Sequence, residues 1–353
     1  MSAAERVLVV GGGPGGLEAA RGAADLGAEV LLVEAKAELG GTPWEAYATL
    51  TPHLKPTREL MAEVVGQVAS HPRVDVRTDT RVVASEGEAG HFQVTLEQGG
   101  ARTVESVGAV IVATGFQHFD PGRETQMYGY YEYDDVITLV DAERMMQQGK
   151  LVRPSTGAPP KSVAFIQCVG SRDRRIGNQY CSKVCCGIAS KQSIEVKHLV
   201  PDAKVFIFYI DMRMYGFWED QLYWKAQEEH KVNYIRGIVT EVIKKGDQLL
   251  IKGEDTTMGR PVEVLMDLVI LSVGMEPSAG TLEMGRIFQI PREPHGFLAT
   301  VGEPLDTVST PVAGVFVAGA AAGPKDLEDT VSMGGAAAMR AVSFLRRKAS
   351  QSA

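Results

Sequence analysis

The sequence has few cysteines, no excess of basic residues and no long hydrophobic run, and each absence excludes a class of protein. Only four of its 353 residues are cysteine, which excludes a disulfide-rich secreted scaffold. Lys and Arg number 36 against 44 for Asp and Glu, a net charge of −8, whereas binding to nucleic acid needs a basic surface. The longest small-apolar run, residues 312–323, is too short to cross a bilayer. No signal-peptide pattern opens the sequence, so we expect a cytoplasmic protein that inserts into no membrane.

A strand–turn–helix–strand pattern occurs twice. In the first copy the apolar runs Arg6–Val10 and Glu29–Val33 flank a Gly-rich turn and an Ala-rich helix. Short, continuously apolar strands of this kind are typical of a parallel sheet covered on both faces. The second copy begins at residues 162–167 and reaches the strand at 204–210 through a cysteine-containing turn.

The pattern predicts an α/β fold with two dinucleotide-binding (Rossmann-like) domains, the second inserted into the first. Pro and Gly are dense at residues 155–160, which indicates a domain entry. We therefore expect a discontinuous first domain formed by residues 1–150 and 278–353. Residues 151–277 form the inserted second domain.

The turn after the first strand has the form G-x-G-x-x-G, with glycines at 11, 13 and 16 and with Pro14 and Gly15 between the last two. Gly11 makes the tight turn, Gly13 lets a pyrophosphate approach the backbone, and Gly16 lets helix pack on strand. Glu34 follows the second strand, 23 residues after Gly11, where a carboxylate accepts hydrogen bonds from a ribose. The three parts together predict a dinucleotide site in the first domain.

Further motifs favour FAD over NAD. The stretch from Glu38 to Gly41, the triplet Ala113-Thr114-Gly115 and residues 314–319 resemble FAD motifs of glutathione-reductase and thioredoxin-reductase-like flavoproteins. Those proteins usually have Asp where this chain has Ala320. A helix starting near Asp326 would point its N-terminus at the flavin and stabilise negative charge there. The complete set of predicted FAD-binding residues is Gly11, Gly13, Pro14, Gly15, Gly16, Glu34, Ala35, Gly40, Gly41, Thr42, Val82, Ala113, Thr114, Gly115, Gly319, Ala320, Asp326 and Thr330.

No cysteine precedes Cys168, so the dithiol that disulfide reductases place beside the flavin is missing and thiol exchange there is unsupported. The histidines are scattered and none forms an i, i+4 ligand pair. His53 and Lys55 follow the pyrophosphate motif closely enough to be candidates for a flavin contact. We assign no residue to acid–base catalysis.

The four cysteines, Cys168, Cys181, Cys185 and Cys186, have the spacing C-x12-C-x3-C-C and replace the glycine turn of the second domain. Disulfides, a four-thiolate zinc site and a [4Fe–4S] cluster are the alternatives. A disulfide between adjacent cysteines is strained, and zinc knuckles usually come as paired C-x2–4-C. The spacing therefore favours the cluster. The loop between the first two cysteines is basic, with Arg172, Arg174 and Arg175.

Five stretches resemble the A subunit of heterodisulfide reductase. They are QCVGSRD at 167–173, YCSKVCC at 180–186, YIDMRMY at 209–215, SVGMEP at 272–277 and GAAAGPKD at 319–326. The resemblance covers nearly the whole chain. It implies an FAD-dependent electron-transfer subunit whose four cysteines bind a [4Fe–4S] cluster.

The methanogen subunits of this family are longer and carry additional cysteine-rich portions. This short form looks like the A-like subunit of the sulfur-oxidising heterodisulfide-reductase-like complex. It is also similar to the A subunit of a quinone-interacting membrane-bound oxidoreductase. The resemblance implies B-like and C-like partner subunits and a homodimer. A self-sufficient NAD(P)H-dependent flavin reductase and a scaffold with a redox-inactive flavin are the other hypotheses. The aromatic stretches 128–133 and 212–224 fit either core packing or a contact surface for a partner.

Overall fold

The computed structural model describes residues 6–50 and 54–352. Its strands are β1 (Arg6–Val10), β2 (Glu29–Val33), β3 (Val74–Arg77), β4 (Thr80–Glu88), β5 (His91–Gln98), β6 (Ala101–Val107), β7 (Ala109–Val112), β8 (Phe116–His118), β9 (Val136–Thr138), β10 (Ser162–Val169), β11 (Lys204–Tyr209), β12 (Asn233–Arg236), β13 (Val239–Lys245), β14 (Gln248–Asp255), β15 (Arg260–Met266), β16 (Leu268–Val273), β17 (Met275–Pro277) and β18 (Val315–Val317). Its α-helices are α1 (Pro14–Asp25), α2 (Thr57–Ala69), α3 (Thr125–Tyr128), α4 (Leu139–Gln147), α5 (Cys185–Leu199), α6 (Lys225–Glu228), α7 (Ala279–Ile287) and α8 (Leu327–Ser352).

The chain forms two compact units. The first contains the residues up to Trp44, Arg58–Gln117 and those from Glu276 onward, and the second contains Glu45–Thr57 and His118–Met275. The sequence prediction set its boundaries at 150/151 and 277/278. The first of these differs from the structure by about thirty residues because β9 pairs with β16 and so belongs to the second unit's sheet.

The first unit is a parallel five-stranded sheet with strand order β18-β7-β1-β2-β3. Alternate residues of the strands bury two separate apolar faces. One face, with Val7, Val9 and Ile111, packs against α1 and α8. The other face, with Leu8 and Val110, packs against the antiparallel strands β4, β5 and β6 and against α7.

The second unit repeats this design. Its parallel sheet has the order β12-β11-β10-β16-β9, and β13, β14 and β15 form a separate antiparallel sheet. Helix α5 connects β10 to β11. The predicted α/β fold with two dinucleotide-binding-type units is therefore confirmed.

Residues 74–83 contain the last strand of the parallel sheet and the start of the antiparallel one. Residues Val74–Arg77 form β3 at the edge of the parallel sheet, whereas β4 starts the antiparallel sheet at Thr80. The two strands are separated by Asp79, whose φ of 49° is left-handed and turns the chain. No helix among residues 6–50 and 54–352 is both long enough and apolar enough to span a bilayer.

Candidate functional site

The first candidate site lies along the carboxyl edge of the first sheet. Gly11 follows β1, Glu34 follows β2, Ala113 follows β7 and Gly319 comes two residues after the end of β18. Because the strands are parallel, these four positions share one edge of the sheet. In open α/β sheets, ligands bind at this edge.

In the glycine turn after β1, Gly11 and Gly16 are tightly packed against the backbone, whereas Gly13 is open to a ligand. Gly11 has a φ of 109°, and a Cβ there would lie 2.4 Å from the Ala113 carbonyl oxygen. A Cβ at Gly16 would lie 1.8 Å from the Gly11 carbonyl oxygen. A Cβ at Gly13 would meet nothing within 4 Å, and Gly13 is the N-cap of α1, which Pro14 begins. The backbone and the positive end of the helix dipole are therefore accessible to an anion.

A second glycine turn packs on the first. The Gly40 amide donates to the Gly12 carbonyl at 2.7 Å. A Cβ at Gly41 would lie 3.0 Å from the Gly13 Cα, and Thr42 then starts a short 3-10 turn. The φ values of Gly40 and Gly41, 115° and 65°, favour glycine at both positions. A Cβ at Gly40 would in addition lie 2.1 Å from the Trp44 ring nitrogen.

Glu34 is held in place by the backbone. Its Oε2 accepts a hydrogen bond from the Gly12 amide at 2.6 Å, and its Oε1 accepts one from the Lys36 amide at 2.8 Å. A carboxylate has about four acceptor positions, so two bonds leave capacity for a ribose hydroxyl. The neighbouring Ala35 is exposed.

At the β18 end of this sheet edge, hydrogen bonds of Thr330 and Asp326 order the start of α8. Thr330 donates to the Asp326 carbonyl at 2.7 Å, and its methyl group fills the space that a Cβ at Gly15 or Gly319 would need. Asp326 accepts from the Asp329 amide at 2.7 Å, so it caps α8. Helix α8 therefore begins at the sheet edge, next to the buried Ala320, as the sequence predicted.

Thr114 and Gly115 are fixed by residues that the sequence analysis did not select. Ser278 donates to the Thr114 carbonyl at 3.0 Å, and Thr281 donates to the Gly115 carbonyl at 2.9 Å. Thr281 is fully buried. Polar residues at the start of an ordinary amphipathic helix carry no signal that would have identified them.

The predicted FAD contact at Val82 cannot be made by its side chain. Val82 is 2% exposed within the apolar core, so only its backbone is available to a ligand. The β4–β5 ladder is interrupted between Val82 and Ala84.

Of the two other candidates for a flavin contact, His53 lies outside the described residues, and Lys55 is an exposed residue of the second unit.

The second candidate site contains the four cysteines, all free. Cys168 lies near the end of β10, where the pairing with β16 is shifted by a bulge. Cys185 and Cys186 form the first turn of α5. A helix N-terminus stabilises thiolate, so two of the four thiols receive this support.

The fold brings the four thiols together. Burial raises the pKa of Cys185 well above its usual value, and the neighbouring Cys186, Cys168 and Cys181 raise it further. Burial likewise raises the pKa of Cys186 to about 11, with Cys168 and Cys181 adding to the effect. The buried thiols of Cys185 and Cys186 remain protonated on their own, and a metal or cluster would convert them to thiolates. Across residues 6–50 and 54–352, however, no three His, Cys, Asp or Glu side chains are arranged to hold a metal ion.

Hydrogen-bond donors surround the sulfur atoms. The Arg172 guanidinium is 4.0 Å from the Cys168 sulfur, and the Lys183 amide donates to the Cys181 sulfur at 3.3 Å. The backbone of Arg213 also bonds to Cys186 and lowers the pKa of that thiol. These contacts favour sulfur carrying negative charge. The residues therefore fit a thiolate-bound group.

The backbone around the cysteines is strained. Cys168, Arg172 and Lys183 have φ values of 63°, 59° and 67°, which side-chain-bearing residues rarely adopt. Such strain persists only when surrounding contacts enforce it, and it concentrates at functional sites. Here Tyr180 donates to the Met275 carbonyl at 2.8 Å, and Ser182 accepts from the Met275 amide at 2.8 Å.

The short segment Glu45–Thr57 is anchored to the second unit by a buried ion pair. Lys191 and Glu143 are 2.7 Å apart with side chains only 2% and 6% exposed. Lys191 also donates to the Ala48 carbonyl at 2.8 Å, and Glu143 accepts from the Tyr47 amide at 2.8 Å. The anchor fixes Tyr47 and Ala48 against α4 and α5.

The aromatic stretch after β11 is partly core and partly surface. Trp218 and Leu222 are buried, whereas Tyr215, Phe217 and Trp224 are 52%, 68% and 45% exposed. Residues Glu219–Trp224 form a π-helix, a rare element that is frequent at functional sites. In the other stretch Tyr131 is 76% exposed.

Comparison with known proteins identifies the family. Residues 5–343 match the family model described as pyridine nucleotide-disulphide oxidoreductase. The chain belongs to this family. It is therefore an oxidoreductase, and membership of this family of flavin-dependent enzymes implies FAD as its cofactor.

Within the pyridine nucleotide-disulphide oxidoreductases, curated relatives confirm the resemblance found in the sequence. The chain is 32% identical over 428 residues to an iron-sulfur A subunit of the CoB–CoM heterodisulfide reductase of Methanopyrus kandleri, covering 97% of this chain and 64% of the relative. It is 32% identical over 430 residues to the A subunit of the ferredoxin:CoB-CoM heterodisulfide reductase of Methanosarcina mazei, covering 97% and 53%. The chain thus spans between about half and two thirds of the length of these relatives.

Solved structures of this family share the fold. Thioredoxin reductase from T. acidophilum superposes with a TM-score of 0.67 at 20% identity, covering 96% of this chain and 98% of that one. Thioredoxin reductase from Lactococcus lactis gives 0.67 at 18% identity, covering 97% and 99%. At these identities the likeness supports the two-unit flavoprotein fold.

Proposed function

We propose that this chain is an electron-transfer subunit in which FAD in the first unit exchanges electrons with a [4Fe–4S] cluster in the second. The observation that carries the proposal is the gathering of four free thiols at the end of β10 and the start of α5. That position is where a dinucleotide-binding unit normally places its phosphate-binding glycine turn. A flavin exchanges electrons in pairs or singly, and an iron–sulfur cluster passes them singly.

The first site supplies what FAD requires. The open backbone at Gly13 and the N-terminus of α1 would hold the pyrophosphate, and Glu34 would accept from the adenosine ribose. The N-terminus of α8 would stabilise negative charge on the reduced flavin. The remaining predicted contacts lie on the same sheet edge or on the loops beside it, except Val82 with its buried side chain.

The second site supplies what the cluster requires. Cys168, Cys181, Cys185 and Cys186 are the proposed ligands. Four thiolates bound to four separate irons are held farther apart than four thiolates on one ion. The grouping of the thiols supports a shared thiolate-bound group, and the spacing C-x12-C-x3-C-C favours a cluster over zinc.

Reciprocal variants test both assignments. Anaerobically purified protein should contain FAD with about four irons and four acid-labile sulfides per chain. Cys185→Ser should lose iron and keep flavin, while Gly16→Val should lose flavin and keep iron. Protein with flavin but with zinc in place of iron would overturn the cluster assignment. Loss of both groups from both variants would show a general folding defect, and Cys168→Ser and Gly13→Val then repeat the test.

We further propose that electrons pass to B-like and C-like partner subunits of a heterodisulfide-reductase-like complex in sulfur metabolism, and that the chain is a cytoplasmic homodimer. The names of the curated relatives support a complex of several subunits. The exposed Tyr215, Phe217 and Trp224 support a docking surface beside the cysteines, because Asp211, just before them in the chain, accepts from the Cys186 thiol. Co-purification with separately tagged partners, and its loss in Phe217→Ala, tests this. Stable assembly only with a quinone-interacting membrane partner would favour that alternative complex.

A further inference from the structure

Gln167 and Ser272 are buried polar side chains without hydrogen-bond partners. Gln167 is 6% exposed and Ser272 is 0% exposed. Among the described residues, neither the amide nitrogen nor the amide oxygen of Gln167 has a partner, and the Ser272 hydroxyl has none. Because buried polar groups are nearly always paired, unpaired donors of this kind indicate a group that belongs beside them.

The strand register places Gln167 and Ser272 opposite each other in the second sheet. Tyr234, Ile207, Phe165 and Ile270 lie in register across β12, β11, β10 and β16. Tyr234 shares a hydrogen bond of 2.9 Å with Ser190 of α5, so this row faces α5. Ser272 lies two residues beyond that row on β16 and therefore shares its face. The register of β10 shifts between Ile166 and Val169, so Gln167 and Cys168 together lie opposite Ser272.

Both residues lie at the carboxyl ends of their strands, where the cysteines are. Gln167 directly precedes Cys168. Ser272 directly precedes Val273, whose carbonyl accepts from the Cys185 thiol at 3.6 Å. Each orphaned group therefore belongs to a residue adjacent to a cysteine or to a cysteine's hydrogen-bond partner.

We propose that the Gln167 amide and the Ser272 hydroxyl donate hydrogen bonds to sulfur atoms of the cluster and raise its reduction potential. This inference rests on the cluster assignment of the proposed function. A reduced cluster carries one more negative charge than an oxidised one, so donors to its sulfurs stabilise the reduced form more strongly. Such contacts are among the means by which a protein sets a metal centre's potential.

Gln167 and Ser272 each have an unpaired hydrogen-bond donor, and this distinguishes them from other buried polar residues of the second unit. Gln192 is also buried, but its amide nitrogen already donates to the Leu139 carbonyl and to Glu143, leaving only an unpaired acceptor oxygen. An acceptor has no favourable contact with negatively charged sulfur. Ser193 is fully buried and donates to the Ser190 carbonyl at 2.7 Å. These two residues are therefore matched controls.

The test is a potentiometric titration of the cluster, followed by EPR, on the full chain purified anaerobically. Gln167→Leu and Ser272→Ala should each lower the midpoint potential, and the double variant should lower it further. A tenfold lower ratio of reduced to oxidised cluster at a fixed potential corresponds to a shift of about 59 mV for one electron. Gln192→Leu and Ser193→Ala should leave the midpoint at the wild-type value.

The outcomes separate this inference from the one on which it rests. Wild-type protein without iron and sulfide would overturn the cluster assignment, and this inference with it. Wild-type iron content with unchanged midpoints in Gln167→Leu and Ser272→Ala would overturn this inference alone and would indicate buried water as the partner. If Gln167→Leu fails to fold, Ser272→Ala decides, because it removes only one oxygen. Loss of an exchangeable-deuteron coupling to the reduced cluster in Ser272→Ala is the supporting spectroscopic result.

Discussion

Arg172 donates two hydrogen bonds to Asp211, from Nη1 to Oδ1 at 2.5 Å and from Nη2 to Oδ2 at 3.1 Å. The same Nη1 is 4.0 Å from the Cys168 sulfur, and the Asp211 carbonyl accepts from the Cys186 thiol. This pair therefore links the cysteine at the end of β10 to the one at the start of α5. Planar two-point pairing of this kind is specific to arginine.

Replacement of Arg172 should weaken retention of iron. In Arg172→Gln the two-point pair and the positive charge near Cys168 are both lost, so bound iron after gel filtration should fall at least severalfold. Arg175→Gln is the control, since Arg175 pairs with Asp173 on the exposed side of the same loop. Equal iron content in the two variants would contradict the role given to Arg172.

Substitution at Gly16 should abolish flavin binding. In Gly16→Ala the new Cβ would lie 1.8 Å from the Gly11 carbonyl oxygen, so the turn has to shift away from the geometry that pyrophosphate requires. We expect the FAD dissociation constant to rise more than tenfold in a fluorescence titration. Gly66→Ala within α2 has nothing within 4 Å of the new atom and should bind FAD normally.

Breaking the buried ion pair between Lys191 and Glu143 should destabilise the second unit strongly. Lys191→Met leaves the Glu143 carboxylate buried without its cation, a loss of about 3–5 kcal/mol in the free energy of unfolding. Arg102→Gln, which removes an ion pair at a 67% exposed arginine, should change it by about 0–1 kcal/mol. Denaturant melts followed by fluorescence measure both. Similar melts for the two variants would show that the segment Glu45–Thr57 is not anchored by this pair.

Stability should fall as the pH falls from about 6.5 to about 4. Burial lowers the pKa of His118 from 6.5 to about 4, so in this window the unfolded chain binds a proton that the folded chain does not. The contribution is present above pH 6.5 and is lost on acidification, with an upper bound of about 3 kcal/mol. His118→Gln should flatten the acid limb of unfolding free energy against pH. His91→Gln, at an exposed position, should leave that limb as it is.

Isolated protein should not be reduced rapidly by NADH. In the second unit Cys168 lies near the end of β10, and in the turn that follows the space beside Gly170 is filled by the Phe119 ring, 2.0 Å from where a Cβ would be. No G-x-G-x-x-G sequence follows β10 to hold a nicotinamide nucleotide. Stopped-flow spectra with NADH should show no saturable bleaching of the flavin, while dithionite should bleach it fully. Fast saturable reduction by NADH would favour a self-sufficient reductase, and a flavin unchanged by dithionite would favour a scaffold.

The pattern of apolar residues in the sequence was sufficient to predict the limits of the buried strands. Arg6–Val10 and Glu29–Val33 have the predicted limits in the structure, because continuous apolar runs bounded by glycine or polar residues have few alternatives. The short strand β9 and helix α4 were not predicted. Strand β9 joins the second sheet by pairing with β16, a strand far away in sequence, and this moved the first domain boundary.

The candidate sites likewise contain residues that the sequence identified and residues that it did not. The glycines and cysteines were identified because their chemistry is tied to residue type and spacing. Asp211, Ser278 and Thr281 were missed because their roles come from tertiary hydrogen bonds that no local pattern records. Gln167 and Ser272 had a usable signal, since each is a polar residue within an otherwise apolar buried strand.

The division of the chain into units has a consequence for its synthesis. The backbone passes between the units at 44/45, 57/58, 117/118 and 275/276, so neither unit is one continuous piece of chain. On a ribosome, the second unit lacks part of its sheet until β16 has emerged, and the first lacks β18 and α8 until residues 315–352 have emerged. Until then, the apolar face of β1 and β7 that packs against α8 is incompletely covered. Nascent chains of this protein should therefore depend on chaperones until α8 has been made.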